Sequence, residues 1–140
     1  MRRTVNGGTE VVYQQQFNPG PTSAKIADLV TGTTRLLAAD AWSPVWSPDG
    51  TRIAYKLFDD GIYVSNPDGT ARLKITNNSL DITAGWSPDS KYILFERHII
   101  KNAKGVYQES SDVLRVPVAG GTAVNLTKDI DGYDQAVCWR

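Results

Sequence analysis

The sequence predicts an all-β fold made of repeated four-stranded antiparallel units, and three observations carry that prediction. The pentapeptide Trp46-Ser47-Pro48-Asp49-Gly50 returns as Trp86-Ser87-Pro88-Asp89-Ser90. Each copy is followed by an alternating run rich in β-branched and aromatic residues, Thr51-Arg52-Ile53-Ala54-Tyr55 in the first case and Lys91-Tyr92-Ile93-Leu94-Phe95 in the second. From Trp46 to Trp86 the spacing is 40 residues, a period found in solenoids, propellers and arrays.

The pentapeptide reads as a turn with an aromatic anchor. Tryptophan ends one strand, proline presets φ at the second turn position, and Asp and Gly suit the positions before the chain reverses. Because Ser90 replaces Gly50 in the second copy, a positive φ there is not expected to be obligatory, and a type I turn is predicted.

The unit between the two tryptophans reads as strand 52–57, strand 61–65, the tight turn Asn66-Pro67-Asp68-Gly69, strand 71–76, a polar loop at 77–80, and strand 82–87 ending in Trp86. A second unit follows in the same order. Asp112-Val113-Leu114-Arg115-Val116-Pro117 matches 61–65, Val118-Ala119-Gly120-Gly121 is the turn, and Thr122 to Thr127 repeats the small start and terminal threonine of Thr70 to Thr76. Trp139 lies 53 residues after Trp86, so this unit is 13 residues longer than the first. The surplus falls at about 97–110, where the sequence reads as an extended hairpin, and insertions of this kind map to loops and often to a binding face.

Upstream, Glu10 to Phe17 makes a strand, Asn18-Pro19-Gly20-Pro21 a turn, Ala24 to Leu29 a strand, Thr31-Gly32-Thr33 a hairpin, and Arg35-Leu36-Leu37 a last strand. This unit, at about 10–38, is expected to lack its own tryptophan-bearing first strand. The next blades are placed at about 42–76 and 82–127, and 134–139 is the first strand of a further one. Asp81 and Asp134 each stand five residues before a tryptophan, and Asp40 stands six before Trp46. An acid in register with the turn is expected to be structural, accepting hydrogen bonds from backbone N–H groups of the loop between units.

On these residues the chain resembles the TolB-like, or WD-like, β-propeller repeat, whose signature is an aromatic-terminated strand followed by Trp-Ser-Pro-Asp-Gly and a short apolar strand. The resemblance covers nearly everything from about residue 10 to the end. It implies blades of four antiparallel strands arranged radially, with Trp46 and Trp86 wedged between neighbouring sheets. Propellers typically close with about four to eight blades. The repeats here make about three, a β-propeller segment forming an incomplete ring. Either the chain is a fragment of a longer protein, or two copies assemble head to tail as a homodimer, strand 134–139 of each completing blade 10–38 of the other in a six-bladed ring.

Composition narrows the function. Fifteen basic and fifteen acidic residues cancel, leaving no electrostatic footprint for nucleic acid or an anionic membrane. At 140 residues a domain buries roughly 68% of its unfolded surface, enough for a core. The single cysteine, Cys138, gives no disulfide framework and is read as a buried inert thiol beside Trp139. Met1-Arg2-Arg3 is not followed by an apolar stretch, so no signal peptide or membrane insertion is expected in this chain.

Catalytic chemistry finds little purchase. No Gly-x-Ser-x-Gly elbow occurs, and His98, the single histidine, supports neither a metal cluster nor a convincing triad. Asp129-Ile130-Asp131-Gly132-Tyr133-Asp134 resembles part of a calcium loop but lacks the downstream glutamate, so an acidic inter-unit loop is expected. No catalytic, metal or cofactor residue is assigned. Trp46, Pro48, Asp49, Gly50, Asp81, Trp86, Pro88, Asp89, Asp134 and Trp139 are assigned as structural repeat residues.

The resemblance then implies a non-catalytic scaffold for an unidentified protein partner, periplasmic or extracytoplasmic by family likeness alone. The alternative it implies is the propeller domain of a prolyl oligopeptidase-like serine peptidase whose catalytic domain lies outside this chain.

Overall fold

The computed structural model describes residues 3–6, 8–103, 106–128 and Asp134; for 3–6, 101–103 and 106–108 the backbone alone is described. Trp139, Cys138, Tyr133 and the Asp129–Asp131 stretch fall outside the described residues.

The described strands form three antiparallel sheets of four strands. The first blade holds β1 (Arg3–Asn6), β2 (Glu10–Gln16), β3 (Thr22–Asp28) and β4 (Thr34–Ala39) in that order. The second holds β5 (Ala41–Trp46), β6 (Ile53–Leu57), β7 (Ile62–Ser65) and β8 (Leu73–Lys74). The third holds β9 (Asp81–Trp86), β10 (Tyr92–Ala103), β11 (Val106–Pro117) and β12 (Val124–Asn125). Every connection within a blade is a hairpin, so each blade is a simple meander. The ring is not closed: this is an all-β partial propeller.

One edge of the first blade carries a strand that the tryptophan repeat does not predict. β1 pairs with β2 from Arg3↔Tyr13 to Asn6↔Glu10. It occupies the edge at which strand 134–139 of a second copy was expected to add. The strand contains no tryptophan, and the Asn6-Gly7-Gly8 at its end is a hairpin signal of a different kind from the pentapeptide turn.

Two apolar seams hold the blades together. Val12, Ala24, Ile26, Leu37 and Ala38 of the first blade pack on Ala41, Trp46, Ile53 and Tyr55 of the second. Ala54, Ile62 and Val64, on the other face of the second sheet, pack with Trp86, Ile93, Phe95, Leu114, Val116 and Val118 of the third. Period-2 alternation delivers this arrangement. Ile53 and Tyr55 point to one seam and Ala54 to the other, and all three are fully buried. Trp46 therefore sits in the first seam and Trp86 in the second. Trp86 adds a hydrogen bond across its seam, its Nε1–H donating to the Val45 carbonyl at 3.0 Å.

The two pentapeptide turns share one hydrogen-bond pattern. Gly50 N–H donates to the Ser47 carbonyl at 2.9 Å, and Ser90 N–H donates to the Ser87 carbonyl at 2.9 Å. In each, the serine hydroxyl donates to the aspartate Oδ1 at 2.6 Å. The same Oδ1 accepts the N–H two residues on, from Thr51 at 3.0 Å and from Lys91 at 3.1 Å. These bonds hold the Asp49 and Asp89 carboxyls below the usual carboxylate range, with the serine hydroxyl the largest cause.

At the fifth position the expectation needs correction. Gly50 has φ +71° and Ser90 has φ +59°, so the backbone is left-handed in both copies. The i to i+3 bond is that of a β-turn, and the left-handed residue after it aligns the two strands. Serine tolerates this at a steric cost that glycine avoids.

The last strands of the second and third blades, β8 and β12, are two residues each, and a side chain adds a bond beside each short ladder. Thr76 Oγ1 accepts the Ile62 N–H at 3.1 Å, and Thr127 Oγ1 accepts the Val113 N–H at 3.0 Å. That explains the terminal threonine the two units share. Gly61 sits against this lock: a Cβ there would lie 1.9 Å from the Thr76 carbonyl oxygen.

Candidate functional site

The meander sends its connections to two opposite ends of the blades. The turns at 47–50, 66–69, 87–90 and 118–121 lie at one end. The connections at 58–61 and 77–80 and the tip of the β10–β11 hairpin lie at the other. The turn end is nearly the same in the second and third blades, whereas the hairpin end is where they differ.

Register locates the difference. Lys56 pairs with Ile62 in the second blade, and Glu96 pairs with Val113 at the matching place in the third. From Lys56 to Ile62 is 6 residues and from Glu96 to Val113 is 17, so 11 of the surplus residues lie in this one hairpin. The ladder continues to Ala103↔Val106, beyond the start of β9 opposite Arg97, and projects as a two-stranded ribbon.

Beside the ribbon lies a groove with two connected lobes. The larger, about 300 Å³, is lined by Trp42, Ser43, Lys56, Phe58, Asp59, Ser79, Leu80 and Ile82. The smaller, about 210 Å³, shares Lys56, Ser79, Leu80 and Ile82 and adds His98, Ile99, Ile100, Glu109 and Ser110. Trp42 and Phe58 form a tilted pair with centroids 6.4 Å apart. Phe58 is 66% exposed and Ile100 54%, large apolar side chains left at the surface around a concave floor.

The part-buried charge of the groove is Lys56, while Asp59 and Glu109 line it as exposed carboxylates. Its ammonium donates to the Ser79 carbonyl. Burial pushes its pKa down, against the attraction of Asp81 and Asp59. Asp81 is itself matched by Arg97: Nε donates to Oδ1 at 2.7 Å and an Nη to Oδ2 at 2.9 Å. The carboxylate is fully buried and the guanidinium about one-third exposed, its pKa raised chiefly by the bond to Asp81.

This overturns the expected role of the recurring acid. Asp81 is held by a side-chain fork from the neighbouring strand, not by loop N–H groups. Asp40 does not share its place. It is exposed, has φ +51°, and uses its backbone carbonyl to accept the Phe58 N–H at 2.7 Å. The position equivalent to Asp81 is Ala41, which pairs with Leu57 where Asp81 pairs with Arg97. Asp134 exchanges backbone bonds with Ser111, donating its N–H to the Ser111 carbonyl at 3.2 Å and accepting the Ser111 hydroxyl at 2.7 Å.

The remaining assigned residues are in the turns. Pro48, Pro88, Asp49 and Asp89 are exposed there, and Gly50 is partly covered. Trp46 and Trp86 are in the seams, and Trp139 lies outside the described residues. His98 is half-buried in β10, and its N–H donates to the Leu80 carbonyl at 3.1 Å. Among the described residues no three of His, Cys, Asp and Glu gather closely enough to hold a metal ion. The sequence singled out the hairpin by its length. It did not disclose Trp42, Lys56 and Phe58, which come from the preceding blade and reach the site through the seam.

Fold and turn chemistry together define a segment of a β-propeller. No family model matches the chain. Over 56 residues it is 43% identical to the Tol-Pal system protein TolB of Alcanivorax borkumensis, a stretch covering 36% of this chain and 13% of that protein. The crystal structure of TolB from Acinetobacter baumannii is similar over 89% of this chain and 31% of its own, with TM-score 0.67 and 16% identity. The Pyrococcus horikoshii acylaminoacyl peptidase is similar over 84% of this chain and 22% of its own, with TM-score 0.67 and 16% identity. The chain thus spans under a third of each of these proteins. It is a partial β-propeller built of TolB-like repeats.

Proposed function

We propose that this chain is a non-catalytic propeller segment whose hairpin end presents a surface for protein–protein contact. The observation that carries the reading is the coincidence of the ribbon with the groove. The hairpin that holds most of the third blade's surplus residues is also where the described residues leave Phe58, Leu80 and Ile100 exposed around a concave, partly apolar floor. An interaction surface built on a rigid scaffold fits that combination.

A photo-crosslinking residue placed at Phe58, in cells producing the parent protein, is expected to give protein adducts. The same residue at Pro88, on the turn end, is expected to give few. Adducts at Pro88 and none at Phe58 would sink the assignment.

The likeness to an acylaminoacyl peptidase supports a second reading, in which the segment belongs to a propeller domain beside a separate catalytic domain. The parent reading frame separates the two: a downstream Gly-x-Ser-x-Gly with Asp and His favours the peptidase. Further copies of Trp-Ser-Pro-Asp-Gly without it favour the scaffold.

A further inference from the structure

The partner's chemistry can be narrowed from the backbone of the ribbon, an inference that rests on the protein-contact reading above. In a strand, N–H and C=O groups of alternate residues point to the same side. His98 N–H points to the β9 side, where it donates to the Leu80 carbonyl. By that alternation the N–H and C=O of Ile100 and Asn102 face the same side, past the point at which β9 begins. The opposite strand confirms the phase. Ser111 and Val113, which pair with His98 and Glu96, turn their carbonyls outward to the N–H groups of Asp134 and Leu126. Among the described residues nothing pairs with the outward groups of Ile100 and Asn102. An edge of this kind is a template for another strand.

We propose that this edge takes an extended peptide by strand addition, in line with β9 and antiparallel to β10. A peptide so placed runs from the ribbon tip toward Leu80, so its C-terminal end arrives over the groove. Two features there select its chemistry. The 300 Å³ lobe between Trp42, Phe58, Leu80 and Ile82 accepts one large apolar side chain. Lys56, whose partner among the described residues is the neutral Ser79 carbonyl, offers a half-buried ammonium to a carboxylate. Asp81 does not compete for it, being neutralised by the Arg97 fork. Asp59 and Glu109, the other carboxylates lining the groove, are exposed, where water screens them. The ligand is therefore an extended segment with an apolar anchor and a carboxylate near its C-terminal end, from either the terminus or an acidic side chain.

Fluorescence anisotropy of the full chain with synthetic octapeptides tests this. The probes alternate valine and threonine, end in phenylalanine, and carry a free terminal carboxylate, an amidated terminus, or an amidated terminus with a penultimate glutamate. Saturable binding is expected for the carboxylate-bearing probes, and the better of the two arms names the source of the charge. N-methylation of alternate peptide nitrogens on the pairing edge is expected to weaken binding by about tenfold or more, the equivalent of one lost hydrogen bond. Methylation on the other edge should leave it nearly unchanged. Lys56→Gln should erase the preference for a carboxylate. Asn102→Pro, which removes an outward N–H and spares the β10–β11 ladder, should weaken all probes, with unchanged circular dichroism showing that each variant folds. Absence of saturable binding at millimolar probe, or equal loss from both methylation patterns, overturns the proposal. Adducts from Phe58 alongside such a failure would remove strand addition and leave the protein-contact reading in place.

Discussion

The second and third blades obey one register and differ in what they put into it. Trp46 pairs with Ile53 and Trp86 with Ile93, and four strand steps further out Leu57 faces Ala41 where Arg97 faces Asp81. The second blade closes that end with an apolar pair and a short turn. The third places a part-buried ion pair, with a fully buried carboxylate, at the root of a ribbon. The frame common to both is made of seams and turns, so a repeat can exchange its pair and lengthen its hairpin without disturbing the packing at the other end. The comparison separates the residues that make a blade from those that make this blade different.

The largest expected effect tests the common frame. Trp86→Ala removes a seam-filling ring and its bond to the Val45 carbonyl, and is expected to cost on the order of 3–5 kcal/mol, the range for truncating a buried large aromatic. Chemical denaturation reads it directly. A midpoint close to that of Asp89→Ala would contradict the seam role.

The next tests the difference between the blades. Arg97→Leu leaves the Asp81 carboxylate buried without its fork and is expected to cost about 3 kcal/mol. Adding Asp81→Ala reproduces the Ala41–Leu57 pair of the second blade and should restore stability to within about 1 kcal/mol of the original. A double variant no more stable than Arg97→Leu would mean that the ion pair is part of the frame after all.

A smaller effect concerns the turns. Asp89→Ala removes the acceptor of the Ser87 hydroxyl and the Lys91 N–H, and should lower the unfolding midpoint by much less than Trp86→Ala does. Its pH dependence has a definite sign. The folded pKa is depressed by those bonds, so the stabilisation is complete above the ordinary aspartate value of about 3.9. It is lost as pH falls through the folded value. The original chain and Asp89→Ala should therefore converge in stability in acid, and a gap that widens on acidification would refute the assignment.

The smallest effect distinguishes the two turn copies. Ser90→Gly relieves a left-handed serine but gives up the 3.3 Å bond from Asp49 N–H to Ser90 Oγ, which links neighbouring blades. The net change should be a few tenths of a kcal/mol, whereas Gly50→Ser in the other copy should be destabilising alone.

Legibility in the sequence followed the same division. The frame was open to reading because it repeats: alternation marked the strands, and the recurring pentapeptide marked the turns and the order of strands. β1 was missed because Arg3–Asn6 carries no tryptophan and so falls outside the repeat, although the Asn6-Gly7-Gly8 at its end is a hairpin signal in its own right. The Asp81–Arg97 fork was hidden because the partners are 16 residues apart and the second blade offers no charged counterpart to compare. Asp40 looked like that counterpart by spacing alone. A one-residue offset in a strand changes the face, and the true equivalent is Ala41. The groove was half legible: the hairpin announced itself by length, while Trp42, Lys56 and Phe58 read as ordinary blade residues until the seam brought them beside it.

The central claim is that the ribbon serves contact and not folding, and one measurement tests it most directly. Residues 98–112 would be replaced by Phe-Asp-Asp-Gly, the short connection of the second blade, and adduct yield from a crosslinker at Phe58 compared with that of the intact hairpin in the same cells, on protein shown by its melting curve to be folded. The account predicts a folded chain whose adducts at Phe58 disappear. Adducts that persist undiminished, or a chain that no longer folds, would contradict it.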